Sequence, residues 1–230
     1  MALDKNMLSR YLEDGIPAFR VYRWASPSFT YGFSQDPQKA VDMFRCASDN
    51  IEVARRITGG GILFHDDEIT YSLVCGKEDI GEPRGVFVSY RETCSFLISF
   101  YRSLGLHASF AFESPDFKKR SPAHEFCSAS HEKFDIVVNG RKIGGNAQKR
   151  TRRAIFQHGS VPRSINWPFI SRYVISLPQD VSAGVTALSA ELNTVPDKGI
   201  LEEKLIESFA RVFGVRLVEQ KQSAYEARMA

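Results

Sequence analysis

Residues Phe134–Gln148 read FDIVVNGRKIGGNAQ. Phe134 to Val138 is a β-branched run, and Arg141 to Gly145 returns as a second strand. Between them, Asn139-Gly140 suits the two positive-φ positions of a type I′ turn. So tight a turn joins antiparallel neighbours, because parallel strands need a long crossover. Ala154 to His158 is expected to be a further strand. Upstream, Leu106 to Phe112 reads as a strand, and the polar segment from Ser114 to Glu132, with Pro115 and Pro122, reads as a long loop.

Further out, helical and extended patterns mix without strict βαβ alternation. Leu3, Met7, Leu8, Tyr11 and Leu12 recur at helical spacing, and Gly15 stops them. Val86 to Leu104 is the longest helical pattern, carrying Val86, Tyr90, Cys94, Leu97, Tyr101 and Leu104 on one side with Gly105 as its stop. Leu201 to Phe213 is the last helix, with Leu201, Leu205, Phe209, Val212 and Phe213 as its buried stripe and Gly214 closing it. Strands are expected at Ala18–Trp24, Phe29–Phe33, Ile51–Arg56, Ile69–Cys75 and Val215–Val218, and a short helix from Pro37 carries Val41 and Phe44. The pattern predicts an α+β fold, a mixed and largely antiparallel sheet flanked by helices, in a single domain over 1–230 with no separate accessory domain.

Composition limits the function classes. Apolar residues make up 43% and charged residues 25% of 230 residues, as in an ordinary globular protein. No apolar run reaches the roughly 20 residues that span a bilayer, and the N-terminal segment lacks a secretory pattern, so a cytoplasmic protein without a membrane partner is expected. A net charge of +3 is too small to imply nucleic acid. Cationic residues do concentrate between Arg141 and Arg153, which reads as a solvated face or as a docking patch for an acidic partner, with nucleic acid the third choice because no recognised motif accompanies the patch. Cys46, Cys75, Cys94 and Cys127 form no CxxC pair, so reduced thiols are expected and a structural zinc site is not.

Three segments concentrate chemistry. Arg55 to Asp66 reads RRITGGGILFHD. Gly59-Gly60-Gly61 costs backbone entropy when ordered, so it needs a reason: close approach of a long thin ligand, or N–H groups for a carbonyl or phosphate oxygen. Neither the P-loop nor the dinucleotide spacing is present. His65-Asp66-Asp67-Glu68 does not read as a metal site, because adjacent strand side chains point to opposite faces. In the second segment, Lys142 follows the tight turn and precedes Gly144-Gly145. A lone lysine would be a solvated cation; the glycine pair beside it favours a held ammonium that polarises an acyl carbonyl. The third segment, Gln157-His158-Gly159-Ser160, ends a strand with a histidine able to donate or accept.

Together these segments resemble the family of lipoate–protein ligases and octanoyltransferases, related to biotin–protein ligases. The family pattern runs RRxTGGGxxxHD, a Tyr-Ser strand, GxKxxGxAQ and then QHGS. It is met in that order by Arg55 to Asp66, Tyr71-Ser72, Gly140 to Gln148 and Gln157 to Ser160. The opening Met1 to Asp4 is similar to the family's first helix. The resemblance implies an acyl-binding tunnel over the glycine-rich loop, with substrate contacts from Arg56, Thr58, Gly59, Gly60, Gly61, His65, Tyr71, Gly144, Gly145, Asn146, Ala147, His158 and Gly159. It implies that Lys142 contacts the acyl carbonyl.

One transferase branch uses a cysteine upstream of the lysine motif, and Cys127 stands in that place. The resemblance therefore implies transfer of an octanoyl or lipoyl group from a carrier thioester to a lysine of a lipoyl-carrier domain, with catalytic Cys127 and Lys142 and no cofactor. Lys142, His124, His131 or His158 could depress the thiol pKa. The alternatives are a lipoate ligase using ATP and magnesium through an acyl-adenylate, and a non-catalytic protein that binds lipoyl domains. The implied partners are acyl carrier protein and the lipoyl domains of 2-oxoacid dehydrogenases or the H protein of glycine cleavage.

Overall fold

A computed structural model describes residues 1–82, 85–114, 133–177 and 181–220. Its centre is β5 (Glu68–Cys75), buried at every position. It pairs antiparallel with β1 (Ala18–Tyr22), Ala18 opposite Val74, and with β10 (Ile155–Pro162), Ile155 opposite Cys75 and Pro162 opposite Glu68. β9 (Asn146–Arg150) adds to the far side of β10, giving the order β1-β5-β10-β9.

Alternation along β5 separates two environments. Ile69, Tyr71, Leu73 and Cys75 pack on α3 (Val86–Ser103) and α7 (Lys198–Phe213), meeting Cys94, Phe96, Leu97, Tyr101, Leu201, Leu205 and Phe209. Burying each such large side chain contributes about 1.5–3 kcal/mol. Thr70, Ser72 and Val74 face the other way. Val74 and Phe156 pack against Tyr11 of α1 (Ala2–Asp14), while Thr70 and Ser72 hydrogen-bond to Trp24 and Asp4. Gly15 ends α1 at φ 70 and donates to the Tyr11 carbonyl, the left-handed cap that the sequence implies.

Two smaller sheets complete the fold. β2 (Ser28–Tyr31) lies between β3 (Glu52–Arg55), parallel, and β4 (Leu63–His65), antiparallel. Phe29, Val41, Cys46, Ile62, Ile170 and Tyr173 form its core, with α2 (Met43–Ser48) and α4 (Trp167–Ile170). The other sheet runs β11-β8-β7-β6. It holds β6 (Ala108–Phe110), β7 (Ile136–Val138), β8 (Arg141–Ile143) and β11 (Val185–Thr186), the last joined in parallel to β8. The short helices α5 (Val181–Gly184) and α6 (Leu188–Glu191) flank β11. Asn139 and Gly140 take φ 50 and 72, as the type I′ reading requires. The α+β class with mainly antiparallel pairing stands.

Four expectations need correction. Val215–Val218 is not a strand: it follows α7 without regular structure, is exposed and pairs with no described strand. The helix from Pro37 is a 3₁₀ turn over Pro37–Lys39 followed by α2; Val41 bridges to Val174 between them, and Phe44 is exposed. Val86 and Val212 lie on exposed parts of their helices. β4, β9 and β11 were not anticipated.

Candidate functional site

The hairpin brings two opposite charges together out of water. Val137 pairs with Lys142, and Asp135 lies two residues before Val137, on the same face and diagonal to Lys142. Lys142 Nζ is 2.9 Å from Asp135 Oδ2, with both side chains almost fully buried. Gly144, at φ 73, then lets the chain turn against β10: a Cβ there would overlap the Ser160 carbonyl. Ser160 N donates to the Gly145 carbonyl at 2.9 Å. Beside this junction a cleft is lined by Lys142, Gly144, Gly145 and Ser160, with Leu63, Asp66 and Trp167 on its other sides.

The glycine-rich loop is clamped from within. Arg56 is buried and donates to the Gly59 and Gly61 carbonyls at 3.2 and 2.6 Å, and to the Thr30 carbonyl and hydroxyl at 2.9 and 2.8 Å. A Cβ on Gly32 would collide with the Gly60 carbonyl, so strand end and loop lie backbone to backbone. Gly59 faces open space.

His65 belongs to the same support. Its Nδ1 donates to Glu68 Oε1 at 2.7 Å, its Nε2 meets the Thr30 hydroxyl at 2.6 Å, and Trp24 stacks on the ring at 4.1 Å. Thr70 joins Glu68 to the Trp24 indole. Asp67 is held by Arg163, Ser164 and Lys198, and these cations and the hydroxyl outweigh burial to keep its carboxyl below the ordinary range. Burial, then the Asp67 charge, pushes Asp66 up. Among the described residues, no group of His, Cys, Asp and Glu side chains gathers as a metal site.

Behind the loop, His158 Nε2 meets the Thr58 hydroxyl at 2.7 Å. His158 Nδ1 stands 3.6 Å from Asp4 Oδ2, within Coulombic reach. Ser72 donates to the other Asp4 oxygen at 2.8 Å. Burial lowers the His158 pKa against the opposing pull of Asp4. Burial alone would raise Asp4, but His158, the N-terminal ammonium and Ser72 together bring it below the carboxylate range.

Tyr71, Asn146 and Gly159 form a third cluster. The Tyr71 hydroxyl donates to Asn146 Oδ1 at 2.8 Å and accepts from Gln157 Nε2 at 2.9 Å. Burial holds that phenol far above its ordinary pKa, so it remains a donor. A Cβ on Gly159 would overlap the Asn146 side chain, and Ala147 sits opposite His158 in the β9–β10 register.

The structure therefore places Lys142, Gly144 and Gly145 on the cleft, and Arg56 through Gly61, His65 and His158 in the loop and its support. Cys127 lies outside the described residues. Cys46, Cys75 and Cys94 are buried free thiols. Burial raises them to about 11, 12 and 12, so none is a ready nucleophile. The sequence pattern assigns no site role to Asp4, Thr30, Glu68, Asp135 or Ser160, although Asp4, Glu68 and Ser160 fall inside segments it singles out and the hairpin register places Asp135 beside Lys142. Within the basic run, Arg141 pairs with Glu191, Arg150 bonds Gly85 and Ser89, and Arg153 bonds the Leu12 carbonyl.

Residues 1–213 match the family described as lipoyl protein ligase A/B catalytic domain. The chain is 30% identical over 217 residues to octanoyltransferase LipM of Bacillus anthracis, covering 91% of this chain and 78% of that protein. It is 31% identical over 242 aligned positions to octanoyltransferase LipM of Kyrpidia tusciae, covering 100% and 88%. Its fold is similar to that of lipoate-protein ligase A bound with ATP, with a TM-score of 0.78 at 20% identity over 99% of this chain and 85% of that one. A bi-partite lipoate protein ligase from Thermoplasma acidophilum, solved with its E2 lipoyl domain, gives 0.71 at 18% identity, covering 99% and 85%. By the family match and the identity to its relatives, the chain belongs to the lipoyl protein ligase A/B catalytic domain family.

Proposed function

We propose that the chain is an acyltransferase that moves an octanoyl, or lipoyl, group from a carrier thioester to a lysine of a lipoyl-carrier domain. In this reading the Cys127 thiolate attacks the thioester carbonyl, the C–S bond to the carrier breaks, the carrier sulfur leaves as a thiolate, and the acyl group rests on the Cys127 sulfur. The neutral amine of the acceptor lysine then attacks. An amide forms, the C–S bond breaks, and the amine proton passes to the sulfur. Lys142 stabilises the carbonyl oxygen at each addition. The donor is acyl carrier protein, and the acceptors are lipoyl domains of 2-oxoacid dehydrogenases or the H protein of glycine cleavage.

The observation that carries this reading is the buried Lys142 ammonium, anchored by Asp135 and opening on the cleft beside Gly144-Gly145. Named octanoyltransferase relatives support thioester transfer over ligation. The second reading, a ligase using ATP and magnesium, is favoured by the fold of the ATP-bound ligase.

One assay separates the readings. The protein is incubated with a lipoyl domain and either octanoyl-carrier thioester or lipoate plus ATP, and the domain is weighed by mass spectrometry. A gain of one octanoyl group from the thioester alone is expected. Modification only with lipoate and ATP would establish the ligase reading instead.

A further inference from the structure

Asp4, Ser72, His158 and Thr58 come from four separate elements and are each at most 5% exposed. Such a polar chain is expensive to bury, and apolar residues of similar size would fill the space at less cost. What it supplies is direction. Thr58 immediately precedes the glycine triplet, a segment that loses more conformational freedom on ordering than any other of its length. Arg56 draws the Gly59 and Gly61 carbonyls to one side. Peptide planarity then turns the Gly60 N–H away from Arg56.

The remaining freedom is at Thr58. Its carbonyl accepts from Phe33 N at 2.8 Å, and its hydroxyl meets His158. His158 Nδ1 is 3.6 Å from Asp4 Oδ2, too far for a hydrogen bond, but the carboxylate charge there favours Nδ1–H and so leaves Nε2 to accept from the Thr58 hydroxyl. Thr58 is 1% exposed, and neither it nor Gly59-Gly60-Gly61 lines the cleft beside Lys142, whereas Gly59 faces open space. Thr58 acts through the loop.

We infer that Asp4, His158 and Thr58 form a positioning relay that fixes Gly59-Gly60-Gly61 in the conformation that receives the acyl donor. The inference rests on the transferase reading only for the identity of that donor. Pre-ordering the loop lowers the entropy lost on binding, so the effect falls on KM before kcat.

The test uses Thr58→Val, which keeps shape and removes the hydroxyl, and Thr58→Ser, which keeps the hydroxyl. Hydrogen–deuterium exchange of residues 58–62 is read in the substrate-free protein, with β5 as the internal control. Steady-state transfer from octanoyl-carrier thioester is read beside it. Expected for Thr58→Val are faster exchange confined to the loop and a KM raised roughly three- to tenfold, the scale of one hydrogen bond. Thr58→Ser should return both toward wild type, and His158→Gln should resemble Thr58→Val. Loop exchange unchanged in Thr58→Val would overturn the relay, as would faster exchange spread equally through β5 in both Thr58 variants. A wild-type protein without octanoyl transfer would sink the transferase reading, while the exchange arm still decides the relay.

Discussion

Lys142 Nζ lies 2.9 Å from Asp135 Oδ2 across the β7–β8 hairpin, and neither side chain has more than a few per cent of its surface in water. The pair holds the ammonium in place at the cleft. Lys142→Ala should lower kcat/KM by about 10²–10³, the scale of one lost electrostatic donor. Lys142→Arg should also be poor, because a planar fork does not replace a compact ammonium. Since either change disturbs a buried pair, activity is to be read on the folded fraction. Removing one partner should cost about 3–5 kcal/mol in denaturant unfolding. Normal turnover in both variants would remove Lys142 from the site.

Acid should destabilise the protein in two stages. His158 has a folded pKa below its ordinary value of 6.5, so the unfolded chain takes up the proton first. Its contribution is present above 6.5 and is lost as pH falls from there toward the folded pKa. Asp4, also depressed, contributes above 3.8 and loses that contribution as pH falls below it. Tm measured against pH should show both declines, and His158→Gln should abolish the upper one. A variant that keeps the upper decline would assign it to another group.

Glycine replacements should separate close approach from mere flexibility. Gly144→Ala adds a Cβ that overlaps the Ser160 carbonyl at a backbone with φ 73. A destabilisation of about 1–3 kcal/mol and loss of transfer are expected. Gly199 lies in α7 with nothing near its Cβ position. Gly199→Ala should be neutral or stabilise by about 0.5–1 kcal/mol. Chemical denaturation of the two variants gives the comparison, and equal effects would contradict the cleft geometry.

Within the basic run, Arg141 is neutralised by Glu191 and Arg153 is tied to the Leu12 carbonyl. Lys149 instead lies over the exposed Phe33 ring at 5.8 Å, with Arg55 on the same ring at 5.1 Å. If these cations meet an acidic carrier, KM should rise with salt, since surface charges are screened over about 8 Å at physiological ionic strength. Lys149→Ser with Arg152→Ser should weaken that salt dependence and leave later steps intact. An unchanged dependence returns the run to an ordinary solvated face.

Strong periodicity made much of the fold legible. α1, α3, α7, β5 and the β7–β8 hairpin follow from apolar spacing and one Asn-Gly turn. β9 is Asn-Ala-Gln-Lys-Arg, with no extended signature; it is a strand because β10 offers it an edge. Val215–Val218 has the β-branched content but pairs with no described strand and remains irregular and exposed. The site divides in the same way. Lys142 and the glycines announce themselves in short motifs, whereas His158 depends on Asp4 and on Thr58, which is 100 positions away in sequence. Local pattern does not encode such contacts.

The covalent step is the centre of the account, and one mass measurement addresses it. Enzyme mixed with octanoyl-carrier thioester, without acceptor, should gain one octanoyl group. The adduct should map to Cys127, be released by hydroxylamine, and be absent from Cys127→Ala, which should also lose transfer. Cys46, Cys75 and Cys94, buried with raised pKa values, should stay unmodified. A Cys127→Ala enzyme that forms no adduct yet moves octanoyl from carrier to lipoyl domain at the full rate would contradict the mechanism.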